Sequence, residues 1–224
     1  MTRTITAIQV QSRNRQRVNI YLDGQFAFGL SRFVAAWLHP GQELSDEKIT
    51  ELRSQDSQEV AYQRALKYLN YRIRSKAEVE SYLKEQDVPE AMAASILERL
   101  ESLGLLDDRR FAQSWIENRN EYRPRSRRAL AYELRKKGIE SELIDQTLEE
   151  IAPDETELAF QAAKKISRKW QGLEYTQFRQ RIAGHLARRG FSYEVITQTI
   201  DHLWGELISE KPSGMQSQEN EVFS

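Results

Sequence analysis

One helix ending is written three times in this chain, and it dictates a protein built of repeats. Leu83, Leu134 and Leu186 are each followed, after three intervening residues, by a helix stop and an apolar residue: Asp87-Val88, Gly138-Ile139 and Gly190-Phe191. Counting on from that apolar residue, offset five holds Ala93, Ile144 and Ile196, offset nine Leu97, Leu148 and Ile200, and offset twelve Leu100, Ile151 and Leu203. These offsets fall on one side of a 3.6-residue period, so the same buried helix face recurs. The anchor leucines stand 51 and then 52 residues apart. That leaves room for three helices per unit and does not match two-helix repeats of about 34 residues.

Each unit opens with a helix of its own, marked by Ala61-Tyr62 with Leu66 and Leu69, by Phe111-Ala112 with Trp115, and by Ala159-Phe160 with Ala163 and Ile166. Ser75 with Glu78 spells a capping box, Asp107 is placed to cap the helix carrying Phe111, and Gly138 and Gly190 suit the left-handed position that ends a helix. Ala152 to Thr156 reads as a linker.

Ahead of the repeats the period is two. Ile8 and Val10, then Val18, Ile20 and Leu22, then Phe26, Phe28 and Leu30 alternate with other residues, and Asp23-Gly24 supplies a tight turn. Residues 4–30 therefore read as a three-stranded antiparallel meander. Its first connection, Ser12 to Gln16, carries Arg13 and Arg15 and reads as a solvated tip. A short helix near Phe33 to Leu38 and a break at His39-Pro40-Gly41 precede Ser45, which opens the next helix above an acidic first turn of Asp46 and Glu47.

The expected fold is mainly α: three tandem three-helix repeats in an elongated curved array, behind a small β-meander. The expected divisions are 1–58 for the meander and short helices, 59–106, 107–153 and 154–208 for the repeats, and 209–224 for a disordered tail.

Several function classes drop out. There is no cysteine, hence no disulfide and no thiolate metal site. No apolar run approaches the roughly 18 residues that span a bilayer, and the amino terminus lacks a signal peptide's apolar core, so a soluble cytoplasmic protein without membrane contact is expected. Gly24 and Gly29 have phosphate-loop spacing but no lysine follows, and His39, His185 and His202 lack companion ligands. Asp107-Asp108 is explained by capping. No nucleophile stands with a base, so no catalytic residue, metal or cofactor is expected.

What remains is charge. The formal net charge is −1, yet Arg119 to Lys137 holds eight basic residues against Glu121 and Glu133. With Leu134 set inward, Leu130 falls beside it, Arg128, Tyr132 and Arg135 fall opposite, and Lys136 lies at the edge; Arg127 and Lys137 project nearer the core, as solubilising flanks. In the third unit Lys164, Lys165, Arg168, Lys169, Arg179, Arg181, Arg188 and Arg189 face a single acid, Glu174. Setting Leu186 inward puts Arg181 and Arg188 outside with His185 nearby. The first unit mixes Lys76 and Lys84 with Glu78, Glu80 and Glu85. Charge needed only for solubility would be spread more evenly, so the two clusters point to an acidic protein surface or a nucleic-acid backbone.

The same residues carry a resemblance. Leu103 to Ala112, then Arg119, Arg123-Pro124-Arg125-Ser126, Glu133 to Ile139, and Arg188 to Tyr193 resemble the RecX family, as does Tyr71-Arg72-Ile73-Arg74-Ser75 with Glu78 and Tyr82-Leu83. The resemblance spans roughly Val60 to Leu203. It implies a regulator, usually inhibitory, of the RecA recombinase in DNA repair and homologous recombination, linked to the SOS response. Members have tandem three-helix repeats and bind within the groove of the RecA filament on DNA, reducing strand exchange and ATP hydrolysis. The partner surface is then expected at Arg119, Arg123, Arg125, Arg128, Tyr132, Arg135 and Lys136 of the second unit. In the third it is expected at Lys165, Arg168, Lys169, Arg181, Arg188 and Arg189. The partners implied are the RecA filament and single-stranded or duplex DNA, met by a monomer. Two other readings stay open: a protein that binds DNA directly through these arginines, and a general helical-repeat scaffold.

Overall fold

The computed structural model describes residues 1–209; the expected disordered tail, apart from Ser209 at the end of the last helix, lies outside them. The chain divides into two compact units, one ending at Asp107 and the other beginning at Asp108.

In the first unit the period-two pattern becomes β1 (Thr2–Val10), β2 (Arg17–Leu22) and β3 (Gln25–Ser31). Asp23 and Gly24 turn the chain between β2 and β3 with φ of 49° and 83°, the left-handed pair that matches strand twist. The expected three strands gain a fourth, β4 (Glu43–Ser45), which pairs with Thr2 to Thr4 and gives the antiparallel order β3-β2-β1-β4. Three residues are too few to display an alternation, so only pairing reveals this strand. Val10 and Phe26 depart from the inward set and are exposed; in β1 the register shifts between Ile5 and Ala7, and Ile5 is the buried residue. The register shifts between Ile20 and Tyr21, and Phe26 meets Tyr21 edge to face on the solvated side.

The short helix near residue 33 is a 3-10 turn, Val34–Trp37. Ser45 then caps α1 (Asp46–Leu69), its Oγ accepting from the Lys48 N–H at 3.2 Å. This helix is continuous across the division expected between residues 58 and 59. Its first half contributes Ile49 and Leu52 to the core beneath the sheet, with Ile5, Ile20 and Leu30. Its second half contributes Ala61, Tyr62 and Ala65 to the core of the first repeat. Between the halves Asp56 clamps helix to sheet, accepting from Arg17 Nη2 at 2.8 Å and from the Ser31 N–H at 2.6 Å. The first repeat is completed by α2 (Lys76–Glu85) and α3 (Glu90–Ser102).

The second unit holds α4 (Asp108–Tyr122), α5 (Arg127–Lys136) and α6 (Ser141–Ile151), then α7 (Glu155–Ser167), α8 (Tyr175–Ala187) and α9 (Tyr193–Ser209). Each triplet has its own apolar core. The three written helix endings are one piece of geometry. Val88, Ile139 and Phe191 donate their N–H to the carbonyls of Leu83, Leu134 and Leu186, while Asp87, Gly138 and Gly190 donate to those of Lys84, Arg135 and Ala187. Asp87, Gly138 and Gly190 all have positive φ. This paired bonding satisfies carbonyls that a helix end would otherwise orphan. Of the fifteen apolar positions in the repeated pattern, all but the partly buried Val88 and Ile151 are buried.

Candidate functional site

The outer face of α5 is laid out as its periodicity requires. Leu130 and Leu134 are fully buried, and Arg128, Tyr132, Arg135 and Lys136 are exposed. Arg128 and Arg135 form no ion pair with any described residue. Lys136 places its Nζ 4.7 Å from the centre of the Tyr132 ring, which orders a cation and an aromatic on the same open surface.

Two arginines expected on this surface are engaged from within. Glu133 accepts from Arg119 Nε at 2.8 Å and from Trp115 Nε1 at 2.8 Å, and forms an ion pair with Arg125 Nη1 at 3.0 Å. The Arg119 guanidinium also lies over the Trp115 ring at 4.5 Å. Sequence reasoning counted Glu133 as one of two acids in a basic run and missed that it organises three side chains. Arg127 differs too: its backbone N–H donates to Glu155 Oε1 at 3.1 Å and its Nη2 to the Ala152 carbonyl at 3.1 Å. It ties the second repeat to the start of the third rather than acting as a solubilising flank.

The repeat itself explains which charges are free. Arg72 in the first repeat is held by Glu78 through two bonds of 3.0 Å. Fifty-one positions on, Arg123 has the equivalent place, but Ala129 stands where Glu78 did. Likewise the stacked rings of Tyr68 and Tyr82, 4.1 Å apart, are replaced by the Arg119–Glu133 pair. The second repeat has lost one arginine clamp and gained another at a different place.

Arg123 and Arg125 flank a junction between the second and third repeats. Ser126, fully buried, caps α5 through its Oγ and donates its own N–H to the Arg189 carbonyl at 3.1 Å. This contact brings the Arg123–Ser126 connection against Arg188 and Arg189. Arg189 is half-buried, and its Nε is buried without a hydrogen-bond partner. Burial, and then the guanidiniums of Arg125, Arg188 and Arg123, hold Arg189 below the usual arginine range. No acid is among these causes.

Elsewhere in the third repeat Lys165, Arg168 and Lys169 are exposed at the end of α7 and on the 3-10 turn that follows, and Arg181 lies 5.8 Å from the Trp170 ring centre. His185, expected toward the outer edge, is buried: α7 covers that side of α8, and the ring Nε2 contacts the Ala162 carbonyl oxygen at 3.1 Å. Burial and then the charge of Arg189 push its pKa down. Among the described residues there is no group of three or more acidic or histidine side chains that could hold a metal ion, and no helix is long and apolar enough to cross a membrane.

Comparison with known proteins finds four matching stretches along the chain. The chain matches the RecX N-terminal domain over residues 3–45, and the first, second and third RecX three-helix domains over residues 61–100, 107–148 and 153–200. Regulatory protein RecX of Bacillus licheniformis is 36% identical over 199 residues, 88% of this chain and 76% of that protein. Its counterpart in Bacillus subtilis is 33% identical over 202 residues, 89% and 76% of the two chains. A crystal structure of regulatory protein RecX superimposes with a TM-score of 0.73 at 32% identity, covering 89% of this chain and 99% of that one. RecX from Lactobacillus salivarius gives 0.60 at 27% identity, covering 66% and 97%. With its amino-terminal sheet and all three of its three-helix units matched in order, the chain belongs to the RecX family of regulatory proteins.

Proposed function

We propose that this protein is an inhibitory regulator of the RecA recombinase. It binds the RecA–DNA filament as a monomer, in the filament groove, through the basic surface of its second and third repeats, and so lowers strand exchange and ATP hydrolysis. The observation that carries the reading is the uncompensated charge at the repeat junction. Arg123, Arg188 and Arg189 have no carboxylate partner among the described residues, and Arg189 is partly withdrawn from water beside them. Holding like charges together destabilises a fold unless an anionic partner uses them. Arg128, Arg135, Lys136 and Arg181 extend the same sign outward. Family membership supports the regulatory part of the reading, and the relatives carry the name of a regulatory protein.

The test reverses Arg128, Arg135, Lys136, Arg181 and Arg188 together and measures RecA-dependent ATP hydrolysis on single-stranded DNA. Inhibition should be abolished while the far-ultraviolet circular dichroism is unchanged. A variant that still inhibits fully sinks the proposal. Binding of duplex DNA without recombinase, with a steep salt dependence, would favour direct DNA binding instead.

A further inference from the structure

The amino-terminal sheet carries a surface that this function does not use. Residues 1–42 contain five arginines and one acid, Asp23. Two of the arginines are taken, Arg3 by Asp46 at 2.9 Å and Arg17 by Asp56 at 2.8 Å. Arg13, Arg15 and Arg32 form no ion pair with any described residue.

The backbone brings those three together. The β1–β2 connection is closed by the Arg17 N–H donating to the Asn14 carbonyl at 3.0 Å, and Arg32 donates its N–H to the carbonyl of Gln16 at 2.8 Å. The tip bearing Arg13 and Arg15 is thereby held beside Arg32. Directly after Arg32 come two large rings left in water: Phe33 is 68% exposed and Trp37 is 89% exposed. Ala35, between them, is buried and anchors the turn. Neither ring packs against another ring or a cation among the described residues. Single exposed apolar residues are ordinary, but two aromatics beside three unpaired arginines are not.

We propose that this patch is a platform for single-stranded nucleic acid, with Arg13, Arg15 and Arg32 meeting backbone phosphates and Phe33 and Trp37 stacking on bases. The combination selects this ligand. An acidic peptide would engage the arginines and leave the rings idle. A duplex keeps its base faces stacked internally, whereas each base of a single strand offers a face to an aromatic ring. A membrane surface calls for a wider apolar face than two rings beside three arginines. The proposal is independent of the basic surface on the second and third repeats.

Trp37 supplies its own reporter, because Trp115, Trp170 and Trp204 are all partly buried. The full chain is titrated with (dT)15 at low salt, following tryptophan emission and the anisotropy of a labelled copy of the oligonucleotide. Each substitution is also read in the chain whose Arg128, Arg135, Lys136, Arg181 and Arg188 are reversed, so that binding at the repeat surface does not mask this patch. Emission should be quenched in the native protein and the quench should vanish in Trp37→Phe, which keeps its affinity. Trp37→Ala and Phe33→Ala should each weaken binding by roughly tenfold. Arg13→Ala with Arg15→Ala should flatten the logarithmic salt dependence by about 1.4. All four positions are exposed, so melting temperatures should not move. Emission unchanged at saturating oligonucleotide, or Trp37→Ala binding as tightly as the native chain, overturns the proposal. Equal quenching by poly-glutamate assigns the patch to an acidic protein, and by phosphatidylglycerol vesicles to a membrane; either result overturns it too. The recombinase assay does not enter this readout, so the two proposals fail separately.

Discussion

A Cβ at Gly190 would stand 2.7 Å from Ser126 Oγ and 3.0 Å from the Ala129 Cβ. The glycine is therefore required twice, once by its φ of +89° at the end of α8 and once by the second repeat pressing against it. Gly104 also has a positive φ, +65°, but nothing lies within 4 Å of where its Cβ would be. Gly104→Ala should cost about 1 kcal/mol from backbone strain alone. Gly190→Ala adds overpacking of about 1–3 kcal/mol. Urea denaturation of the two variants checks the difference, and equal losses would show that the junction yields freely.

Glu133 joins stability to charge. Replacing it with Gln weakens the charge-assisted bond to Arg119 and removes the ion pair with Arg125 while leaving an acceptor for Trp115, so stability should fall by about 1–2 kcal/mol. The same change adds net positive charge beside Arg123. Binding of an oligonucleotide at low salt should tighten even as the midpoint of urea denaturation drops. A mutation that only loosened the fold would weaken both.

Ala129 offers a route to silence Arg123 without touching an arginine. Ala129→Glu restores the carboxylate that holds Arg72 in the first repeat, and it should pair with Arg123 across the same six-residue interval. Inhibition of RecA-dependent ATP hydrolysis should fall several-fold, while Ala129→Gln, which lacks the charge, should have a smaller effect. Circular dichroism and melting temperature identify any effect due to crowding against Gly190.

His185 makes stability depend on pH. Its imidazole lies below the usual histidine range because burial penalises the charged ring and Arg189, then Arg188, repel it; its bond to Ala162 pulls the other way. In the unfolded chain the ring titrates near pH 6.5. Below that value the unfolded state takes up the proton more readily, so the contribution is full above about pH 6.5 and declines as the pH falls. The fall in melting temperature between pH 7.5 and 5.5 should be smaller in His185→Gln than in the native protein. An oligonucleotide bound at Arg188 and Arg189 should raise the ring's pKa, which histidine NMR shifts can follow.

The helical framework was legible because its determinants are local. Leu134 faces inward because of its spacing from Leu130, and Gly138 ends α5 because a glycine tolerates positive φ; neither needs a distant partner. The same holds for Ser75, Ser126 and Ser45, whose caps lie within three residues. The strand β4 was hidden because pairing, not pattern, makes a three-residue strand. The exposed face of α5 was legible for the same reason as its core, since one period determines both.

The site was only half legible. Twelve basic residues could be named from charge, and Tyr132 from its place among them, but sign alone does not tell a free arginine from a clamped one. Aligning the repeats would have marked Ala129 against Glu78, and with it Arg123. Nothing in the local pattern of Glu133 signals that it holds Arg119, Arg125 and Trp115. The sequence by itself determined three repeats, their helix ends and the sign of their surface, because propensity, periodicity and capping act over a few residues. Only the tertiary structure decided which charges remain uncompensated, because electrostatic pairing and desolvation depend on distance through space. Ser126 and Arg189 meet there although they are far apart along the chain.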